Sequence, residues 1–309
     1  MNASNSCSLV VLNYNDSART IALCKLADGF GFFSSIVIVN NKGSEQAERL
    51  LKEFSKQTSG AKYHFIFSER NLGYCGGCNL GLRFALDNCA PSSIVLANSD
   101  VTFESSAITA SLSFLETQES AGAVSPLMMN PDGSVDYNWG LFPSFQDGLN
   151  SIFYFGERRF RKKQFKNAES WLTKPFFLVP WIRSSLLIFK KQALQKSGLF
   201  DERFFLYCGE YSLFTRLAEN HYSSFILPDV QYVHHHISSN SFRSLHKRKT
   251  GSVKSMLLYL EQYQKINVFQ KILFWLLSWL AVFEYDCLYA RIALKRSIKQ
   301  KRDSKAKRQ

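Results

Sequence analysis

The sequence lacks the features that would place it outside a reducing compartment. Its seven cysteines are odd in number and show no disulfide spacing. Cys75-Gly-Gly-Cys78 is the one close pair, and no second pair or suitably spaced histidine completes a zinc set. These two read as small, reduced loop residues, and the compartment reads as the cytosol. The N-terminus, Met1-Asn-Ala-Ser-Asn-Ser-Cys7, lacks the basic start and apolar stretch of a signal peptide. Acidic residues are scarce: 25 Asp and Glu stand against 38 Lys and Arg, for a net charge of +13. Yet no interleaved aromatic and basic face and no nucleic-acid module is present, so no nucleic-acid partner is expected. The apolar stretch Ile272–Phe283 falls short of the roughly 20 residues that a spanning helix needs. Glu284 and Asp286 then interrupt it.

A chain of 309 residues has room for one large α/β domain with an appendage. Aromatics reach 15%, with 27 Phe, which suits either a Phe-rich core or a surface that meets sugar, lipid or protein. Positive charge gathers at Arg158–Lys163, at Arg243–Lys249 and in the tail from Arg291. A helix packed on the domain and an in-plane membrane helix both suit Ile272–Leu294. The lysine-rich tail favours the second, with an anionic membrane surface as partner.

Short apolar runs at Leu9–Leu12, Ser35–Val39, Tyr63–Phe67 and Ser93–Ala97 read as buried strands. Helical segments at Ser17–Leu26, Glu45–Thr58 and Leu80–Asp87 alternate with them. That rhythm implies a largely parallel sheet flanked by helices, with ligands at the carboxyl ends of its strands. The polar groups Asn13–Asp16, Asn40–Asn41 and Asn98–Asp100 all fall at such ends. Between the third strand and its helix lies Glu69–Arg83, with Gly73, Gly76, Gly77 and Gly81. Glycines there allow a backbone to approach a ligand, and the following helix N-terminus offers N–H groups to an anion. Farther on, Ser105–Glu119 reads as a helix, Trp139 to about Thr173 as irregular, and Phe176–Trp181 and Leu186–Phe189 as strands. Lys191–Ser197 and Tyr211–Asn220 read as helices. Phe225–Pro228 and Val230–Val233 flank a proline and end in His234-His-His236.

Taken together and in order, these motifs resemble a family 2 glycosyltransferase of the GT-A fold. The branch is that of bacterial rhamnosyltransferases of O-antigen and capsule assembly. The matching stretches are Val10–Asn15, Val39–Asn41, Asn71–Gly81, Asn98–Asp100, Gly198–Phe205 with Tyr207, Gly209-Glu210, and the histidines from His234. The resemblance implies a GT-A domain over 1–250, with a nucleotide-binding half (1–104) and an acceptor-binding half (105–250). Amphipathic helices and a basic tail follow over 251–309.

The resemblance also implies roles. Asn13, Asn15, Asn40, Asn71, Gly73, Tyr74, Gly77, Asn79, Asn98, Ser99, Asp100 and Arg243 would bind the nucleotide-sugar. Asn40 stands where the family usually has an Asp. Asp100, with His234 or His235, would hold a divalent cation, Mg2+ or Mn2+, against the diphosphate. Trp181, Ser184 and Gly209 would meet the acceptor. Glu210 would be the catalytic base, in the place of the family's aspartate, with Gly209 before it where the family has Glu. The implied reaction is inverting transfer of L-rhamnose from dTDP-L-rhamnose onto a polyprenyl-diphosphate-linked saccharide. It would occur peripherally on the cytoplasmic face of the inner membrane.

Overall fold

The computed structural model describes residues 6–58, 62–235 and 242–306, without the side chains of 242–244 and 292–306. His236 and the side chain of Arg243 therefore lie outside the described residues. Two compact units form: Met1–Phe142 with Asn167–His236, and Pro143–Lys166 with Ile237–Gln309. Thus residues 143–166, expected within the acceptor half, group with the C-terminal helices.

The first unit opens as β1 (Cys7–Asn13), α1 (Ser17–Gly29), β2 (Phe33–Asn40), α2 (Glu45–Gln57), β3 (Tyr63–Phe67), α3 (Gly73–Asn88) and β4 (Ser93–Asn98). A short β5 (Val101–Phe103), α4 (Ser105–Thr117), β6 (Ala121–Met129) and β7 (Trp139–Gly140) follow. The second unit takes α5 (Phe145–Ser151) and α6 (Tyr154–Gln164). The chain returns through α7 (Ala168–Trp171), β8 (Phe177–Val179), β9 (Trp181–Ile182), β10 (Leu186–Lys190), α8 (Lys191–Ser197), α9 (Gly209–Glu219) and β11 (Ser223–His234). It then closes the second unit with α10 (Phe242–Gln262) and α11 (Val268–Ala306).

The main sheet runs β3-β2-β1-β4-β10-β6-β11-β5, with β8 also on β11. β1 pairs in parallel with β2 and β4, whereas β10 is antiparallel to β4 and β6. The sheet is therefore mixed, as the GT-A reading requires. β1 is buried along its whole length, which explains its apolar run Leu9–Leu12. Near its end β11 changes register on β6, from Leu227 opposite Pro126 to Gln231 opposite Leu127. The extra residues include Pro228, which has no N–H to give to a ladder. One bulged strand thus replaces the two runs expected on either side of that proline.

Three other expectations are corrected. α3 begins at Gly73 rather than Leu80, because its glycines, poor helix formers in isolation, are held by packing. A Cβ on Gly77 would lie 2.7 Å from Leu12 Cδ1, and one on Gly81 would lie 2.5 Å from Val10 Cγ1. The region from Trp139 to Thr173 is not irregular. It contains three helices, and Ser144 and Asp147 start α5 with a capping box. The apolar segment at the C-terminus is not interrupted at Glu284 and Asp286. Within the second unit, Glu284 accepts from the Tyr154 N–H at 3.0 Å, and Asp286 meets His246 Nδ1 at 2.7 Å. With both carboxylates engaged, α11 continues, and Val268–Arg291 is long and apolar enough to cross a membrane by length and composition.

Candidate functional site

Strand pairing assembles the site at the carboxyl ends of β1, β2 and β4. β1 and β2 are in register to their last residues, which sets Asn13 beside Asn40. Asn13 Nδ2 donates to Asn40 Oδ1 at 2.9 Å, while Asn13 Oδ1 accepts from Thr20 Oγ1 at 2.9 Å and from the Asp16 N–H at 3.3 Å. Asn13 is fully buried and holds the start of α1. Asn40 is also buried, and its Nδ2 has no hydrogen-bond partner among the described residues. A buried donor without an acceptor costs about 1–3 kcal/mol. Asn15 is exposed, has φ 61, and accepts from the Ser44 N–H at 2.5 Å.

The glycine-rich stretch has a different purpose from the one its composition suggests. Asn71 Oδ1 accepts from the Gly73 N–H at 2.8 Å and from Asn41 Nδ2 at 3.2 Å, which organises the first turn of α3. Gly73 has φ 74, and a Cβ there would collide with the Phe205 carbonyl. Gly77 faces the sheet. Packing against the sheet at Gly77 and against the Phe205 backbone at Gly73 is enough to demand glycine at both positions. Asn79 is likewise interior. It donates to Phe200 O at 2.8 Å and accepts from Phe200 N at 2.9 Å, so it fixes the loop before α9 instead of lining a pocket.

On the other side of β4, β5 runs antiparallel to β11 and pairs Val101 with His234. This register brings His234 Nε2 to 3.2 Å from Asp100 Oδ1. The neighbouring His235 uses its Nε2 on Thr102 Oγ1 at 3.1 Å and its backbone N–H on Asp100 O at 2.8 Å. Of the two histidines considered as cation ligands, His234 is thus the one set against the Asp100 carboxylate. Ser99 Oγ donates to Asp16 Oδ2 at 3.3 Å. A cavity of about 310 Å³ opens here, lined by Arg19, Leu23, Ser99, Asp100, Thr102 and His235 among others. Arg19 and Thr102 carried no signal in the sequence, since neither belongs to a motif; the helix face and the β5–β11 register expose them.

β10, antiparallel to β4, carries Ser184 and Ser185 back to Asn98, whose N–H donates to Ser185 O at 2.9 Å. Tyr74 OH donates to Ser184 O at 2.6 Å and also lies 3.0 Å from Asn98 Oδ1. Burial pushes the Tyr74 phenol well above its ordinary value, so it remains a donor. Ser184 Oγ donates to Glu210 Oε1 at 2.7 Å. Glu210 sits in the first turn of α9, where the helix dipole favours a carboxylate. Before it, Cys208 holds a left-handed φ of 61, and a Cβ on Gly209 would lie 2.2 Å from Cys75 Sγ. Burial, with the charge of Glu210 adding to it, keeps the Cys75 and Cys208 thiols protonated. Trp181 packs edge-on against Tyr211 at 4.9 Å, and its Nε1 donates to Leu141 O at 3.0 Å.

The family model for "Glycosyl transferase family 2" matches residues 8–182, which is 175 of 309 and more than half of the chain. The chain belongs to glycosyl transferase family 2. Among curated relatives, it is 30% identical over 149 residues to an N-acetylglucosaminyl-diphospho-decaprenol L-rhamnosyltransferase of Mycobacterium tuberculosis (strain CDC 1551 / Oshkosh), covering 46% of each chain. A low-salt glycan biosynthesis hexosyltransferase, Agl10, of Haloferax volcanii is 22% identical over 214 residues, 66% of this chain and 58% of that one. The chain thus spans about half the length of the curated relatives it matches. Among solved structures, GalNAc-T7 with UDP, GalNAc and Mn2+ superposes with a TM-score of 0.60 at 13% identity, over 84% of this chain and 48% of that one. That likeness is one of fold, the GT-A fold.

The family's cation can be tested against the donors present. No group of three or more His, Cys, Asp and Glu side chains converges among the described residues. Asp100 and His234 supply one carboxylate and one imidazole, donor types that would suit a divalent cation such as Mn2+.

Proposed function

We propose that the protein is an inverting glycosyltransferase that moves L-rhamnose from dTDP-L-rhamnose onto a polyprenyl-diphosphate-linked saccharide in cell-surface polysaccharide assembly of the O-antigen or lipopolysaccharide type. The observation that carries this reading is the presence within one unit of a cation-type pair, Asp100 and His234, and of a first-turn carboxylate, Glu210. Tyr74 and Ser184 connect Asn98 to that carboxylate. The M. tuberculosis relative, named for L-rhamnosyl transfer to a decaprenol-linked sugar, supports the sugar moved and the class of acceptor.

In this reading the nucleotide lies over Asn13, Asn15, Asn40 and Asn71, and Asn40 Nδ2 donates a hydrogen bond to a base carbonyl. Arg243 contributes to the diphosphate. Glu210 takes the proton of the acceptor hydroxyl. That oxygen forms a bond to the anomeric carbon as the bond to the diphosphate breaks, and the nucleoside diphosphate leaves with the electron pair. When bound, the divalent cation, held by Asp100 and His234, neutralises charge on the leaving diphosphate. Trp181, Ser184 and Gly209 shape the acceptor side. An in-plane placement of α11 on an anionic leaflet brings a lipid-linked acceptor within reach of a peripheral protein on the cytoplasmic face.

The test is incubation of purified protein with Mn2+, a short-chain polyprenyl-diphosphate N-acetylglucosamine and a panel of labelled donors. Transfer from dTDP-L-rhamnose above all others is expected. Preference for a UDP-hexose would support a second reading, that of a transferase with another hexose donor. The hexosyltransferase relative and the amide at Asn40 speak for it. Donor binding without any transfer would leave a membrane-associated nucleotide-sugar-binding protein.

A further inference from the structure

A glutamate at the start of a helix has its Cα fixed by the backbone but keeps several side-chain torsions free. A base on such a stem needs a second anchor to hold one oxygen within reach of a hydroxyl. Ser184 supplies it. Its Oγ donates to Glu210 Oε1 at 2.7 Å, and its backbone N–H is directed at the same oxygen at 3.5 Å. Ser184 itself is buried and cannot swing away: its carbonyl is gripped by the Tyr74 phenol at 2.6 Å. Tyr74 is held in turn by its own N–H, which donates to Phe205 O at 2.5 Å. At the preceding residue, Cys75 fills the space that any side chain at position 209 would occupy, so the backbone leading into Glu210 is closely packed. The carboxylate of Glu210 is held at Oε1 by Ser184.

We infer that Ser184 is a positioning residue of the transfer reaction: its hydroxyl fixes Oε1 of Glu210 so that Oε2 is the oxygen presented to the acceptor. The inference rests on the reading of Glu210 as the base and reassigns Ser184 from acceptor contact to anchor of that base. An ionised carboxylate only accepts hydrogen bonds. With Oε1 engaged, the acceptor proton passes to Oε2 as the acceptor oxygen bonds the anomeric carbon and the diphosphate departs with its electron pair. Tyr74, bridging Asn98 and Ser184, ties this anchor to the end of β4, where the donor sits in the proposed function.

The test is a double-mutant cycle on the full chain with the Mn2+, lipid-linked acceptor and donor panel above. Ser184→Ala is expected to lower kcat by about 10- to 100-fold, the worth of a hydrogen bond to a charged group, with the donor KM unchanged. Ser184→Thr, which keeps the hydroxyl, is expected to recover most of the rate. In the background of Glu210→Gln, adding Ser184→Ala is expected to cost nothing further, because both changes act through one group. Multiplying losses, or full activity of Ser184→Ala, would overturn the inference. A readout without turnover guards the result. The carboxyl-carbon resonance of Glu210, assigned by its disappearance in Glu210→Gln, should move in Ser184→Ala, and an unmoved resonance would sink the anchor. If Glu210→Gln itself retains full transfer, the base reading fails. If Glu210→Gln is inactive but Ser184→Ala is not, only the anchor fails.

Discussion

The two units place their apolar and polar groups in opposite ways. In the α/β unit the apolar side chains of β1, β2 and β4 are enclosed, and buried amides such as Asn13 and Asn40 gather at the strand ends. In the helical unit, charged groups face inward. Lys249 is buried with its Nζ 3.7 Å over the Tyr285 ring, and the Tyr285 hydroxyl bonds Glu157. Phe269, Trp275, Trp279 and Phe283 on α11 are exposed instead. Water suits the first arrangement and not the second. An apolar stripe of that extent marks a contact surface, while Phe274, Ala281 and Tyr285 on α11 are buried within the unit. α11 thus has one face packed within its own unit and an exposed apolar one.

The difference can be tested from both sides. The largest effect is expected in the first unit: Glu210→Gln should reduce kcat by about 10²- to 10⁴-fold while leaving donor binding intact, as measured by turnover and nucleotide titration. Unchanged turnover would remove the chemistry from that unit's strand ends. In the second unit, replacing Trp275 and Trp279 together by Ser should weaken binding to phosphatidylglycerol vesicles by at least about tenfold, without lowering the Tm. Equal vesicle binding, read by cosedimentation, would break the contrast. Gly209→Ala should destabilise the first unit by about 1–3 kcal/mol through overpacking against Cys75. Adding Cys75→Ala, which removes the clashing sulfur, should restore the midpoint of chemical unfolding. The smallest effect concerns Lys249. Burial lowers its pKa to about 8, against the pull of Glu157 and Glu284, whereas an unfolded lysine titrates near about 10.4. Between those values the unfolded chain holds the extra proton at this site, so the contribution of Lys249 to stability should rise with pH, by on the order of 1 kcal/mol. Buried thiols such as Cys75 and Cys208, protonated in the fold and ionised in the unfolded chain, pull the other way over the same range. The readout is therefore the difference in unfolding free energy between the native chain and Lys249→Met, which should shift in favour of the native chain from pH 7 to 10; a constant difference would refute it.

Legibility followed the same division. The strands of the first unit could be read because parallel burial leaves continuous apolar runs, and β3 and α8 fall on their expected residues. The polar clusters at strand ends also converge as the alternation required. What could not be read was register. Nothing local in Val101–Phe103 announces a strand, yet its pairing with β11 is what sets Asp100 against His234. The same holds for Tyr74 and Asn79. Both stand in the glycine-rich motif expected to meet the nucleotide-sugar, and both have distant intramolecular partners, Ser184 and Phe200, that the motif does not reveal. In the second unit, Glu284 and Asp286 looked like helix breaks because their partners, Tyr154 and His246, are remote in sequence.

The bulge in β11 has a further meaning for how this chain can vary. Three residues, Pro228 to Val230, lie between Leu227 and Gln231 on β11 and none between their partners Pro126 and Leu127 on β6, so the ladder is interrupted there. Beyond the interruption the pairing resumes and delivers His234 opposite Val101 and beside Asp100. A bulge takes up chain length locally, so the end of the sheet can hold its register while residues are gained or lost in the segment before it.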